Sequence, residues 1–394
     1  MDYDYFGPEC NGGLYDEHEL EITTAIQTYV YPFILLLGTV GNVASLWPLY
    51  QLSVDVWSTC LYLVVLCTVD LLVLYVKCGN TWFERVTGNN LNLKLVIMSE
   101  AVCKVYLFAF QFIVHFGAWV VVAAAIETLV LARFPHLAYR MCTTERAKAV
   151  MLFVTVLLVC LNMHYFWTYG LLRYAISPTE VFYVCTYIED FSEFFRDQIW
   201  PFLNLSVGDI VPMLVVAVCF FCSITTYFRS KKAFSVTKPM LEKYFLDLKT
   251  LQELKVTMTV ICLNFIIIAT LNILLQIVEY LINNQVIKIP CLMQWKVDGV
   301  MTLIRTVWET YFFLFLAAKC LIYLCTCTRF RKELWQSTKN ILMFKSCRRR
   351  DKVVNTNTNN SDTCTGSPSK PITSVSNISG TQDKHNEESK STDV

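Results

Sequence analysis

Charged residues are scarce: Asp, Glu, Lys and Arg make up only 16% of the 394 residues, against about 25% in ordinary soluble domains. Hydrophobic residues make up 55%, and mean hydropathy is +0.45. The shortage excludes a water-solvated globule and points to lipid as the solvent. A net charge of +1 implies no nucleic-acid partner. Lys and Arg are absent between Met1 and Glu21. A basic start followed by an apolar stretch is therefore missing, no cleavable signal is expected, and the first span is expected to direct insertion. No paired CxxC motifs and no His/Cys spacing suggest a metal. His18, His115, His136, His164 and His385 are scattered. Without a metal box or a nucleophile elbow, neither an enzyme nor a cofactor is expected.

Long apolar runs are what the chain does have. Seven stretches reach the roughly 20 residues that a helix needs to cross hydrocarbon: 26–52, 57–76, 99–131, 147–172, 201–227, 256–282 and 299–327. Their polarity does not alternate as barrel strands do. The expected fold is an all-α membrane protein, a seven-transmembrane helix bundle with a short amphipathic cytoplasmic helix. Lys and Arg gather after the third span (Arg133, Arg140, Arg146, Lys148), after the fifth (Arg229 to Lys249) and after the seventh (Arg329 to Arg350). Basic loops stay in the cytosol, so the N-terminus is expected outside. The resulting division is an extracellular segment 1–25, a membrane domain 26–328, an amphipathic helix 329–345 and a cytoplasmic tail 346–394. In the helix, Phe330, Leu334 and Trp335 share a face that suits the membrane surface, and Cys347 is a candidate for palmitoylation. The tail is rich in Ser, Thr and Asn, so disorder is expected there, with its hydroxyls as candidate phosphorylation sites.

Most of the 17 cysteines lie inside apolar runs (Cys60, Cys67, Cys160, Cys219, Cys222, Cys262, Cys320), where the residue acts as a small hydrophobe. Only Cys10, Cys78, Cys103, Cys185 and Cys291 fall at or beyond outer span ends, where they can oxidise.

Several residues, in order, resemble the rhodopsin-like (class A) G-protein-coupled receptors over roughly 31–334. They are Gly41-Asn42 in span one, Leu66-Cys67-Thr68-Val69-Asp70 in span two, Trp82 in the first outer loop, Cys103 at the start of span three, Cys185 in the second outer loop, Pro212 in span five, and Tyr323 seven residues before Phe330. The tract 329–334 is close to the family's sequence after span seven. The run Asn162-Met163-His164-Tyr165-Phe166-Trp167-Thr168 is similar to the fourth span of invertebrate neuropeptide receptors. The resemblance implies a Cys103–Cys185 disulfide. It also implies a plasma-membrane location, an extracellular peptide or other small ligand, and heterotrimeric G protein, with arrestin, as cytoplasmic partners beside membrane lipid. A second disulfide, Cys10–Cys291, has precedent in peptide receptors, and Cys78 is a competing partner.

The chain departs from the family at its switches. Span three ends Glu127-Thr128-Leu129 where the family has Asp/Glu-Arg-Tyr, and Arg133 is more than one turn further on. Glu127, Thr128 and Arg133 form the expected G-protein face. Span six reads Ile268-Ala269-Thr270-Leu271 in place of Cys-Trp-x-Pro, so the kinking proline is missing. Span seven reads Lys319-Cys320-Leu321-Ile322-Tyr323 in place of Asn-Pro-x-x-Tyr. Lys319 stands where the family's amide approaches the span-two aspartate. It is expected either to pair with Asp70, as a tethered substitute for a sodium ion, or to snorkel to the inner surface. Asn42, Asp70, Lys319 and Tyr323 form the expected intramembrane switch.

The candidate ligand site comprises Gln111, His115, Asn272, Gln276, Glu279, Tyr280, Trp308 and Glu309, with alternatives at several positions. His115 is a contact or a satisfied core histidine, Arg305 pairs with Glu309 at i,i+4 or both face the ligand, and Trp308 lines the site or faces lipid. Phe110 stands where amine receptors carry Asp, against an amine ligand. Glu180, Glu189, Asp190, Glu193 and Asp197 attract a basic peptide or form a solvated loop. Asn204-Leu205-Ser206 is a glycosylation sequon close to the membrane. The expected function is a neuropeptide receptor signalling by outward movement of its cytoplasmic helix ends. The alternatives are a receptor of this fold without ordinary G-protein coupling, and a transporter or channel with Asp70, Glu127 and Lys319 on an ion path. No internal repeat or pore loop supports the last. Epitope tags at the two termini are expected on opposite sides of an intact cell; accessibility from one side would remove the seven-span topology.

Overall fold

The structure, a computed structural model, describes residues 18–175, 181–188, 193–226 and 248–340. Cys10, Glu180, Glu189, Asp190, Arg229 to Lys243 and the tail 346–394 with Cys347 lie outside the described residues, as does the side chain of Cys291, so the proposed Cys10–Cys291 bond does too. Among the described residues, seven helices are long and apolar enough to cross a membrane: His18–Asp55, Thr59–Thr87, Glu100–Arg133, Thr144–Thr168, Phe195–Thr226, Lys249–Asn283 and Lys296–Thr326. They are spans one to seven of an all-helical membrane bundle.

Span two is longer than its hydropathy predicts. Lys77, Asn80 and Glu84 end the apolar run but not the helix, which continues until Gly88 takes the left-handed conformation (φ 68°) that suits glycine. Two expectations change as a result. Cys78 is a free thiol buried inside the span, not a disulfide candidate at its end, and Trp82 sits on the last helical turns instead of in a loop. Span three begins with Ser99, whose side chain accepts from the Val102 N–H, and span four with Thr143, which accepts from Arg146.

Span four ends at Thr168, earlier than the expected Leu172. Strand β1, Tyr169–Ala175, pairs antiparallel with β2, Val181–Tyr187, and Leu171 lies opposite Cys185. Both segments are rich in Tyr, Phe, Val and Leu, so the apolar run continues while the residue types shift toward those that suit a pleated surface. Cys185 bonds to Cys103 of span three, so the hairpin is tied across that end of the bundle. The opposite end carries a helix over 328–340.

Spans one and seven approach closely through small residues, the usual basis of helix association in lipid. A Cβ added at Gly41 would lie 3.0 Å from the Cys320 Cβ and 3.3 Å from the Ala317 carbonyl oxygen. Asn42 then cross-links the two spans, donating to the carbonyls of Gly38 (3.0 Å) and Leu316 (3.2 Å). Among the described residues, wide π-turns interrupt the α-helical bonding at Ile26–Val30, Leu74–Gly79, Phe195–Ile199 and Ser206–Ile210. In the last, the Val207 carbonyl accepts from the Trp119 indole at 3.0 Å.

The 328–340 helix divides its expected apolar face. Phe330 is fully buried, packing edge-on against Tyr323 with centroids 5.4 Å apart, whereas Trp335 is 64% exposed beneath the Lys339 ammonium. Gly41→Val is expected to cost about 1–3 kcal/mol by overpacking spans one and seven. Gly38→Ala is expected to be milder, because the atom nearest its new Cβ is the tip of Leu74. Thermal unfolding of the purified full chain orders the two.

Candidate functional site

Polar side chains inside the bundle meet in tiers, each joining different spans. Nearest the hairpin, Arg305 of span seven bonds to Glu279 of span six, with Nε to Oε1 at 3.0 Å. This corrects the local Arg305–Glu309 pairing: the arginine reaches across to the neighbouring helix, and Glu309 remains on the bundle side of span seven. Asn272 of span six donates to Asp209 of span five at 3.0 Å, and Gln276 also bonds that carboxylate. Tyr280 is set apart from this group, 54% exposed near the end of span six.

Lys77 was missed from sequence because span two was expected to stop at Val76. Its ammonium lies 5.5 Å from the centroid of the Phe110 ring of span three. Glu309 and Asp209 are the acidic groups within electrostatic reach. Neither Lys77 nor Glu309 has an ion-pair partner among the described residues. Two opposite charges on spans two and seven thus stand within electrostatic reach of each other without a direct ion pair among the described residues.

The next tier is closed. His115 is 1% exposed. Asn162 of span four lies 3.3 Å from His115 Nδ1 and donates to the Leu158 carbonyl, while Asn204 Oδ1 of span five is 3.1 Å from His115 Nε2 and accepts from Gln111 at 2.5 Å. Gln111 Nε2 also lies 3.0 Å from His115 Nε2, so each ring nitrogen has a side-chain amide within hydrogen-bond distance. His115 is therefore a satisfied core histidine tying spans three, four and five. A Cβ on Gly208 would come within 3.1 Å of its ring. Asn204, the sequon residue, is turned into the bundle to hold this tier, not outward toward a glycan.

Trp308 faces span six, not lipid. Its indole donates to the Ile268 carbonyl at 3.2 Å and its ring stacks on Phe312. Span seven thus packs an aromatic against span six at the level of Ile268. One turn deeper, the Tyr311 hydroxyl donates to Asn264 at 2.9 Å.

At mid-bundle, Lys319 Nζ lies 2.8 Å from both oxygens of Asp70, and both side chains are nearly inaccessible. The lysine is held in the bundle by the carboxylate and does not snorkel. Near the far end, Glu127 accepts from Ser58, the residue before span two, and Thr128 turns its hydroxyl back onto the Ala124 carbonyl at 2.7 Å. Arg133 is exposed at the end of span three. Cys142 packs beneath Glu127. Burial first and the adjacent carboxylate second push its thiol up to about 12, so it is inert.

Among the described residues no group of three His, Cys, Asp or Glu side chains is placed to hold a metal ion. No family model matches the chain, and no curated protein matches it.

Removing either member of the Asp70–Lys319 pair leaves a buried charge, costing about 3–5 kcal/mol. Asp70→Asn and Lys319→Met are each expected to lower cell-surface yield sharply. The double swap Asp70→Lys with Lys319→Asp is expected to recover it, and a swap no better than either single variant would argue against direct pairing.

Proposed function

We propose that this protein is a receptor of the rhodopsin-like kind in the plasma membrane, with the hairpin end outside. It takes an extracellular ligand, a neuropeptide, between spans two, three, five, six and seven and passes the signal to a heterotrimeric G protein at the opposite end. One observation carries the reading: Lys77 and Glu309, charged and without a direct ion pair among the described residues, lie toward the end of the bundle where Cys103 of span three holds the hairpin, while the deeper tiers are joined by contacts between spans. A ligand that offers an anionic group to Lys77 and a cationic group to Glu309 or Asp209 would complete the upper tier. Peptide termini and side chains provide both. A transporter needs a path past the middle of the bundle, where Asp70 and Lys319 neutralise each other.

A second reading, ligand binding without ordinary G-protein coupling, is favoured by Thr128. Its hydroxyl is spent on its own helix, and it bears no charge to present to a partner.

A peptide library applied to cells expressing the full chain is expected to yield saturable binding. Lys77→Gln and Glu309→Gln should each weaken the best hit by about tenfold or more, as loss of a charged contact does. Ion flux through liposomes holding the purified protein, with no peptide bound, would reverse the reading in favour of transport. Nucleotide exchange on a panel of purified G proteins separates the two receptor readings: exchange by the native chain supports coupling, and exchange only after Thr128→Arg supports the second.

A further inference from the structure

Span six is fastened at the end opposite the hairpin by a contact unrelated to the family's missing arginine. Its carboxylate, Glu253, accepts from the Thr328 backbone N–H at 2.7 Å and from the Thr328 hydroxyl at 2.8 and 3.0 Å. One turn along the same face, the Thr257 hydroxyl meets that of Thr326 at 2.6 Å, with Thr257 fully buried. Thr326 ends span seven and Thr328 begins the next helix, the break falling at Cys327.

The break explains the carboxylate. First-turn N–H groups of a helix have no partner within it. The residue before Thr328 is Cys327, whose sulfur accepts only weakly, from Phe330 N at 3.4 Å. A negative charge at this N-terminus is favoured by the helix dipole and makes charge-assisted bonds, and here it comes from another span. The post to which Glu253 is tied is itself fixed. Arg329 bonds to Asp55 of span one at 3.0 Å, and Phe330 is buried against Tyr323. Behind the contact, Leu251, Leu254, Met258 and Ile261 of span six repeat at three- and four-residue spacing and are all buried. Span six therefore cannot swing away from span seven without releasing Glu253.

We propose that Glu253, bound to Thr328, is the latch that holds this end of the bundle shut, taking the place of a lock between spans three and six. What opening would serve rests on the receptor reading, but the latch is tested with neither ligand nor G protein. Spin labels carried on p-acetylphenylalanine at positions 146 and 249 report the distance between the ends of spans four and six in the full chain in nanodiscs, without touching the native cysteines. Glu253→Ala is expected to raise the ratio of long to short distances by about tenfold, as loss of charge-assisted bonds would. Thr328→Val, which keeps the N–H and removes the hydroxyl, should give a smaller rise of about threefold. Should Glu253→Ala fail to fold, Glu253→Gln, of the same shape without the charge, takes its place with the same direction expected. Distance distributions unchanged from the native chain in Thr328→Val and in whichever Glu253 variant folds would overturn the latch, whatever the outcome of the peptide screen.

Discussion

A polar side chain inside hydrocarbon has no water to return to, so it bonds to the backbone of its own helix or finds a partner on another. That constraint organises this bundle. Gln111 and His115 meet Asn204, Asn272 meets Asp209, Tyr311 meets Asn264, Asp70 meets Lys319, and Glu127 meets Ser58. Each contact joins two spans or their ends, and together they fix which helices are neighbours and at what height. Apolar packing cannot do this alone, because lipid tails solvate Leu as well as a helix does. The close approach at Gly41 and the Asn42 cross-link serve spans one and seven in the same way.

The spans were legible because length and hydropathy report directly on hydrocarbon thickness. The Asp70–Lys319 pair was legible as one of two options, since a lysine so deep in span seven had a carboxylate near its level. What hydropathy conceals is a helix that outlasts its apolar run. Lys77 and Glu84 made span two look finished, and with that error Cys78 was misplaced as an oxidisable end cysteine and Lys77 was passed over altogether. The β-hairpin was hidden by the opposite effect: Tyr169 to Leu172 extend the apolar run of span four while leaving the helix.

Partners separated by long stretches of chain were the other blind spot. Arg305 had Glu309 at the right helical spacing, and nothing local signalled that Glu279, on the adjacent span, would win. Asn204 reads as a sequon close to the membrane, and its bond to Gln111, 93 positions away, leaves no local sign. Glu253 and Thr328, 75 positions apart, carry no motif at all. Three further positions take on a physical meaning only beside these contacts: Thr128 is satisfied by its own helix, Trp308 of span seven packs against span six, and the Glu253 carboxylate has a helix N-terminus to hold.

A counter-charge tethered to the chain also has a birth date. Asp70 and Lys319 are 249 residues apart, which at ribosomal speed is on the order of tens of seconds. For that interval the acid of span two sits in the nascent membrane assembly before its base has been synthesised. Until span seven arrives, the Asp70 carboxylate lacks the ammonium that it holds in the finished bundle. A chain truncated before Lys319 would expose that unfinished state to the quality control of the membrane in which it is made.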